Sequence, residues 1–281
     1  MTLQDANSIT LGAISGSSVT ATGLAGDVIV SDAISVVNGD IALNAQDTID
    51  VNANVTTTTS GNITLTSDTD ADADGNIDLA GGTSVVAAGV LDVETNGGQM
   101  IDDGAGDVTL GSGGAFDFEN TTFDSANLIV NAGGAVTDTG ATAGISVTGD
   151  TTITAGAAGN FFDIALDSAD IHDFGGAVNA TGEDITIDDV NAIVLGSIST
   201  NEAGQADADA DSAADGTIAS NRGELIVRAG GAITDAAAVT LRVPPAVTVP
   251  NAIAVASTSK TFAPNASTSS NASPATMPST S

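Results

Sequence analysis

The chain has no cysteine, no tryptophan and no tyrosine, a single histidine, and only four basic residues among 281. Without cysteine there is no disulfide scaffold and no thiolate metal site. With seven phenylalanines as its only aromatics, the hydrophobic 42% is mostly Ala, Val, Ile and Leu. Such side chains suit a thin interior better than a globular core filled by aromatics. Four bases against 36 acids give a formal charge of -32. That surface repels nucleic-acid phosphates and anionic membranes, attracts cations, and needs salt to screen its own repulsion. No stretch approaches the ~18 apolar residues of a membrane span. Met1–Asp5 has neither the basic region nor the apolar run of a signal peptide, so an exported protein is expected to carry this chain as a segment of something longer.

Proline is missing from residues 1–243; all six lie between Pro244 and Pro278, and the last acid is Asp235. Residues 244–281 are rich in Ser, Thr and Pro with little to bury, and read as a disordered tail.

What is present is repetition. "GDVIV" at 26, "GDIAL" at 39, "GNITL" at 61, "GNIDL" at 75, "GDVTL" at 106 and "GELIV" at 223 share one form. A glycine with an acid or amide supplies the left-handed backbone of a corner, and alternating inward and outward residues follow. "NGGQMIDD" at 96, "AGGAVTD" at 132 and "AGGAITD" at 229 form a second motif. Helical periodicity is nowhere sustained. "DANSITLGAIS" from Asp5 matches "DVNAIVLGSIS" from Asp189, and "GDVIV" from Gly26 matches "GELIV" from Gly223. The second copy is longer between these anchors, which marks residues 201–216 as an insertion at a corner. Short strands, Gly/Asn corners and corner insertions predict an all-β solenoid over residues 1–243, with on the order of ten coils of ~20–25 residues. A parallel β-helix fits best, and a β-sandwich is the rival.

The phrases "GNITLTSD", "NLIVNAGGAVTDTG", "FDIALDSADIHDFGGAVNATGEDITIDDVNAIVLGSIST" and "GELIVRAGGAITD" resemble filamentous-haemagglutinin-like large exoproteins, the β-strand-repeat adhesins of bacterial surfaces. The resemblance covers residues 1–243. It implies a single-stranded right-handed parallel β-helix, secretion, and a role in adhesion or surface coating.

The best candidate site is "SDTDADADGNIDL" at 67–79. Asp70, Asp72 and Asp74 ahead of Gly75 repeat the opening of a calcium loop, with hard oxygen ligands at alternate positions and glycine at the bend. Asn76 can offer its carbonyl, and Asp78 can act directly or through water. Gly81 stands where such loops place a bidentate Glu. The competing reading is an acidic insertion ahead of an ordinary corner, since "GNIDL" belongs to the repeat. Asp207, Asp209 and Asp211 alternate in a second run whose glycine, Gly216, comes too late for the same register.

The remaining candidates read as structural. His172 lacks the companions of a zinc site and is expected to be a surface or satisfied histidine. The pairs Asp102–Asp103 and Asp188–Asp189 could serve a glycosidase as acid and base. Among so many acids, however, adjacent pairs arise without purpose, and sugar-stacking Trp and Tyr are missing. The six Phe between Phe116 and Phe174 are expected to stack along the core or close an end, with a carbohydrate platform as the functional alternative. The "TLT" at 64–66 falls short of one Thr-x-Thr per coil, as an ice-binding ladder requires.

The expectation is therefore a non-enzymatic extracellular or cell-surface repeat protein, a segment of an adhesin or coat with cation-sensitive corners. The alternative is a carbohydrate-binding or carbohydrate-active β-helix. Expected partners are surface molecules or polysaccharide, and other copies through solenoid ends whose strand edges are unpaired.

Overall fold

The structure is a computed structural model that describes residues 1–70, 75–96, 99–102, 106–118, 122–139, 144–157, 160–167, 172–200 and 224–236. Among these, all regular structure is β, and strands from successive turns of the chain pair in parallel. The architecture is a parallel β-helix, as the repeats predict. The segments 201–216 and 244–281 lie outside the described residues.

Four sheets form its sides. The first holds Thr2–Asp5, Val19–Gly23, Ile41–Ala45, Ile63–Thr66 and Leu91–Glu94. The second runs from Ile9–Leu11 to Asp173–Phe174. The third, the longest, runs from Ile14–Gly16 to Ile233–Asp235. The fourth holds Phe116–Asp117, Val136–Thr137, Ile164–Leu166, Ile185–Asp189 and Leu225–Ala229. The chain passes from first to second to third sheet in its early coils. From Phe116 the fourth sheet takes the place of the first in that order. From Ile185 the described strands belong to the fourth and third sheets alone. Ten coils are traced in this way among the described residues.

Register explains why the side chains are what they are. Val19 lies against Ile41, Ile41 against Ile63, and Ile63 against Leu91, all facing inward and buried. Ala21, Leu43, Leu65 and Val93 make the neighbouring column. Like side chains at matched heights build a continuous core that no single coil could form alone. Where the fourth sheet replaces the first, Phe116, Phe118 and Phe123 fill the interior. Phe116 and Phe118 meet edge to face at 4.8 Å. Phe174 is buried as well, so the expected stacking of phenylalanines in the core holds for these four.

One corner is closed by stacked glycines. Gly39 and Gly61 adopt φ of 128° and 118°. A Cβ on Gly61 would sit 1.9 Å from the Gly39 carbonyl oxygen, and one on Gly39 would sit 1.7 Å from that of Ser17. The amide of Gly89 then donates to the Gly61 carbonyl at 2.8 Å, and that of Gly113 to the Gly89 carbonyl at 2.6 Å. Only glycine lets successive corners approach so closely at such φ. Gly26, Gly75 and Gly106 do not share the positive φ, so the left-handed reading of the repeat's glycine holds at two described corners only.

The self-match needs a correction. Val28, after Gly26, sits in the second sheet, whereas Leu225, after Gly223, sits in the fourth. The two anchors share a corner-and-strand code and not a side of the helix. The extra length is nonetheless where it was expected: Ile185 pairs with Leu225, forty residues on, across residues 201–223.

Candidate functional sites: an acidic corner and a buried histidine

The acidic run grows from a corner of the first and second sheets. Val28 pairs with Ile49, 21 residues on, but Ile49 pairs with Ile77, 28 on. The extra length lies between strands Ile63–Thr66 and Ile77–Leu79. Its entry is pinned: Ser67 and Asp68 are fully buried, and Asp68 takes φ of 51°. The Asp68 amide donates to the Asp47 carbonyl at 3.1 Å and that of Thr69 to the Ala45 carbonyl at 3.2 Å. Asp70 is exposed, and its Oδ2 accepts a 2.5 Å bond from the Gln46 side-chain amide. Asp72 and Asp74 lie outside the described residues. Gly75 closes the excursion, where a Cβ would stand 2.5 Å from the Asp47 carbonyl oxygen. Asp78 faces outward from its strand, paired in register with Asp50 of the coil before. Among the described residues no three His, Cys, Asp or Glu side chains are grouped closely enough to hold a metal.

Asn76 belongs to a different construction. Its Oδ1 accepts the Gln99 amide at 3.0 Å, and its own amide donates to Thr48 Oγ1 at 3.3 Å. The Thr48 amide in turn donates to Asp27 Oδ1, and the Asp27 amide to Ser8 Oγ. One polar side chain per coil thus accepts the amide of its counterpart in the next coil. The pattern recurs at other corners. Asp40 accepts from Asn62 and Asn62 from Val90. Asn127 accepts from Asp150 and Asp150 from Ala177. Asp163 accepts from Asp184 and Asp184 from Glu224. Here lies the physical reason for the acid or amide after the motif's glycine. Its side chain satisfies a backbone N–H that the strand ladder leaves over at the corner. The sequence shows the repeat but not this role, since the partner is in the neighbouring coil.

His172 is wholly buried in the second half of the helix. The Ile145 amide donates to its Nδ1 at 3.1 Å, and its Nε2 lies 2.6 Å from Asp138 Oδ2. A backbone N–H only donates, so Nδ1 is the bare nitrogen and Nε2–H donates to the carboxylate. Asp138 Oδ1 accepts the Asp167 amide at 3.2 Å. Both ring nitrogens are committed to the frame, and the satisfied histidine expected from the sequence is found, buried rather than at the surface. Asp138 is the final residue of "AGGAVTD", which the sequence picks out without naming its partner.

Asp188 and Asp189 are buried too, and they part in function. Asp188 takes Arg228 on both oxygens, at 3.1 and 3.2 Å. Partial burial pulls the Arg228 guanidinium down, but Asp188 and Asp167 outweigh it and leave it above its ordinary value. Asp189 Oδ2 accepts the Phe174 amide at 2.9 Å, Oδ1 accepts the Asn191 amide at 2.6 Å, and the Val190 amide donates to the His172 carbonyl at 2.7 Å. The second sheet ends at Asp173–Phe174, so this carboxylate and amide stand where the next strand would bond. Burial raises the Asp189 carboxyl above its ordinary 3.8, aided by Asp173 and opposed by its two amide donors. The pair therefore has a purpose, as an ion pair and an edge cap. For the other pair, Asp103 lies outside the described residues.

Residues 105–181 match a family model described as repeats of unknown function (DUF5649). The match starts before strand Asp107–Ser112 and ends within Ala177–Gly182, so it takes in both Asp138 and His172. No curated protein and no solved structure matches the chain.

Proposed function

We propose that this chain is a non-enzymatic extracellular repeat protein, a segment of a bacterial cell-surface adhesin or coat. The carrying observation is where the polar chemistry goes. The sole histidine and the Asp188–Asp189 pair, two of the groups that would suit a hydrolase, are buried and engaged with backbone, Asp138 or Arg228. What faces solvent is the outward side of a repetitive scaffold and, among the described residues of the acidic run, Thr69 and Asp70, a form suited to display and spacing. Calcium at this run would be held by Asp70, Asp72 and Asp74 with Asp78, while Asn76, expected from the sequence to join them through its carbonyl, has both oxygens accepting amides of neighbouring coils. Surface molecules or polysaccharide are the partners of such a display.

Antibody raised against residues 1–243 should label intact cells of the source organism, and protease treatment of those cells should remove the label. Labelling that appears only after permeabilisation rejects the extracellular reading. Depolymerisation of any member of a panel of acidic polysaccharides by the purified chain would reject the non-enzymatic one.

A further inference from the structure

The outward residues of the third sheet are almost free of charge, in a chain of net charge -32. One column runs in register through nine coils, from Ser15 by way of Thr56, Val86, the buried Gly111, Asn131, Thr154 and Thr181 to Ser199, with no charged member. Beside it, Thr109, Ile129 and Thr152 stack in register. The second sheet differs, turning Asp50, Asp78, Asp124 and Asp173 outward. The first is neutral along Thr20, Ala42 and Thr64, but it has about half as many strands and turns out Asp92 and Glu94 on its last one. Acids at the third sheet's margins, among them Asp32, Asp40, Asp107 and Asp150, sit at the corners, where Asp40 and Asp150 accept backbone amides.

We propose that this neutral face is an interface at which two copies of the chain pack sheet against sheet. Charge selects the occupant. An anionic polymer is repelled by the molecule as a whole, and a basic partner would settle on the acidic sides. A glycan finds no Trp or Tyr on which to stack. A second neutral β-face is the surface that can approach this one without burying a carboxylate. Size agrees. Nine strands at about 4.8 Å spacing and about five residues of width give roughly 700 Å² per copy, or about 1,400 Å² in all, within the range of stable interfaces. A two-fold arrangement meets itself with the same face and closes at the dimer. Hydroxyls, amides and methyls would meet across sheets about 10 Å apart.

Sedimentation velocity on the full chain tests this. The marginal acids and the net charge oppose approach until salt shortens the screening length, from about 30 Å at 0.01 M to about 3 Å at 1 M. The chain should therefore be monomeric at the lower salt and a closed dimer at the higher. The T109E/T154E variant should stay monomeric in both, and D124N, on the second sheet, should dimerise like the parent. A dimer that persists in T109E/T154E overturns the proposal, as does an open series beyond dimer, which would mark association through solenoid ends. A chain monomeric at every salt overturns it too, and retention of that monomer on a neutral glucan would give the face to a polysaccharide. Because the chain has no cysteine, a nitroxide on the T152C variant gives a readout that does not depend on the glutamate variant folding. One defined interspin distance should appear at 1 M salt, and its absence there overturns the proposal.

Discussion

His172 Nε2 lies 2.6 Å from Asp138 Oδ2, between residues 34 apart in sequence and both inside the helix. The bond joins consecutive coils, and the Ile145 amide on Nδ1 fixes the ring's orientation. Removing the ring strands a buried carboxylate and a backbone amide together. H172F should lower the unfolding free energy by about 3–5 kcal/mol, as for a broken buried pair. In the H172F/D138L variant no charge is left unpaired, and the loss should fall short of the two single losses combined by about 1–3 kcal/mol. Urea unfolding of the four proteins measures this, and simple additivity would show the two residues to be uncoupled.

Asp189 gives a pH dependence of defined sign. Its carboxyl is raised above 3.8 in the folded chain, chiefly by burial. The folded state therefore holds the proton more tightly than the unfolded state between 3.8 and the raised value. The stabilisation is complete below 3.8 and is lost as pH rises through the folded value. Relative to D189N, wild type should thus lose stability across that window and stay level above it. Paired unfolding curves at stepped pH decide the matter, and an advantage that grew with pH would contradict the burial effect.

At Gly61 a Cβ would meet the Gly39 carbonyl, and φ is 118°. The G61A variant should lose about 2 kcal/mol or more, from backbone strain and the displaced corner. Gly16, which has no atom within 4 Å of its Cβ position, should accept alanine with a change of under about 0.5 kcal/mol. Thermal unfolding of both variants compares them directly.

The corner ladders predict a chemical rule rather than a charge rule. Asn62 Oδ1 accepts the Val90 amide while its own amide donates to Asp40. N62D keeps the acceptor and should be nearly neutral at moderate salt, whereas N62A should cost about 1 kcal/mol. Hydrogen exchange at the Val90 amide should quicken in N62A and not in N62D.

Calcium at millimolar concentration should raise the melting temperature if the 67–78 excursion holds it. The rise should vanish in the D70A/D72A/D74A variant and survive matching changes at Asp207, Asp209 and Asp211. An equal rise with magnesium, or with sodium at the same ionic strength, would reduce the effect to screening.

The sequence announced the strands and concealed the sides. In all six Gly-acid/amide phrases the next residue is buried: Val28, Ile41, Ile63, Ile77, Val108 and Leu225. The corner code is local, so it reads directly. Yet Ile41 and Ile63 lie in the first sheet, Val28 and Ile77 in the second, Val108 in the third and Leu225 in the fourth. The side is set by accumulated coil length, which the corner excursions vary and no single phrase records. For the same reason the Asp138–His172 pair was hidden, although each residue stands in a motif that can be picked out. The excursion at 67–75 was legible as an addition because "GNIDL" recurs without it.

The corner ladders also decide where salt matters. At the corner of the fifth to seventh coils a neutral rung separates the acids, as Asn127 separates Asp107 from Asp150. Fixed charges then stand about 9.6 Å apart, close to the screening length of about 8 Å at physiological ionic strength. Between Asp163, Asp184 and Glu224 there is no such spacer, and acids occupy successive rungs. Dissolved cations are therefore not a uniform bath for this molecule. They act as the counter-charge for the Asp163–Asp184–Glu224 corner, since Arg228 of the same coils is engaged with Asp188 and Asp167, so dilution should weigh most on that corner.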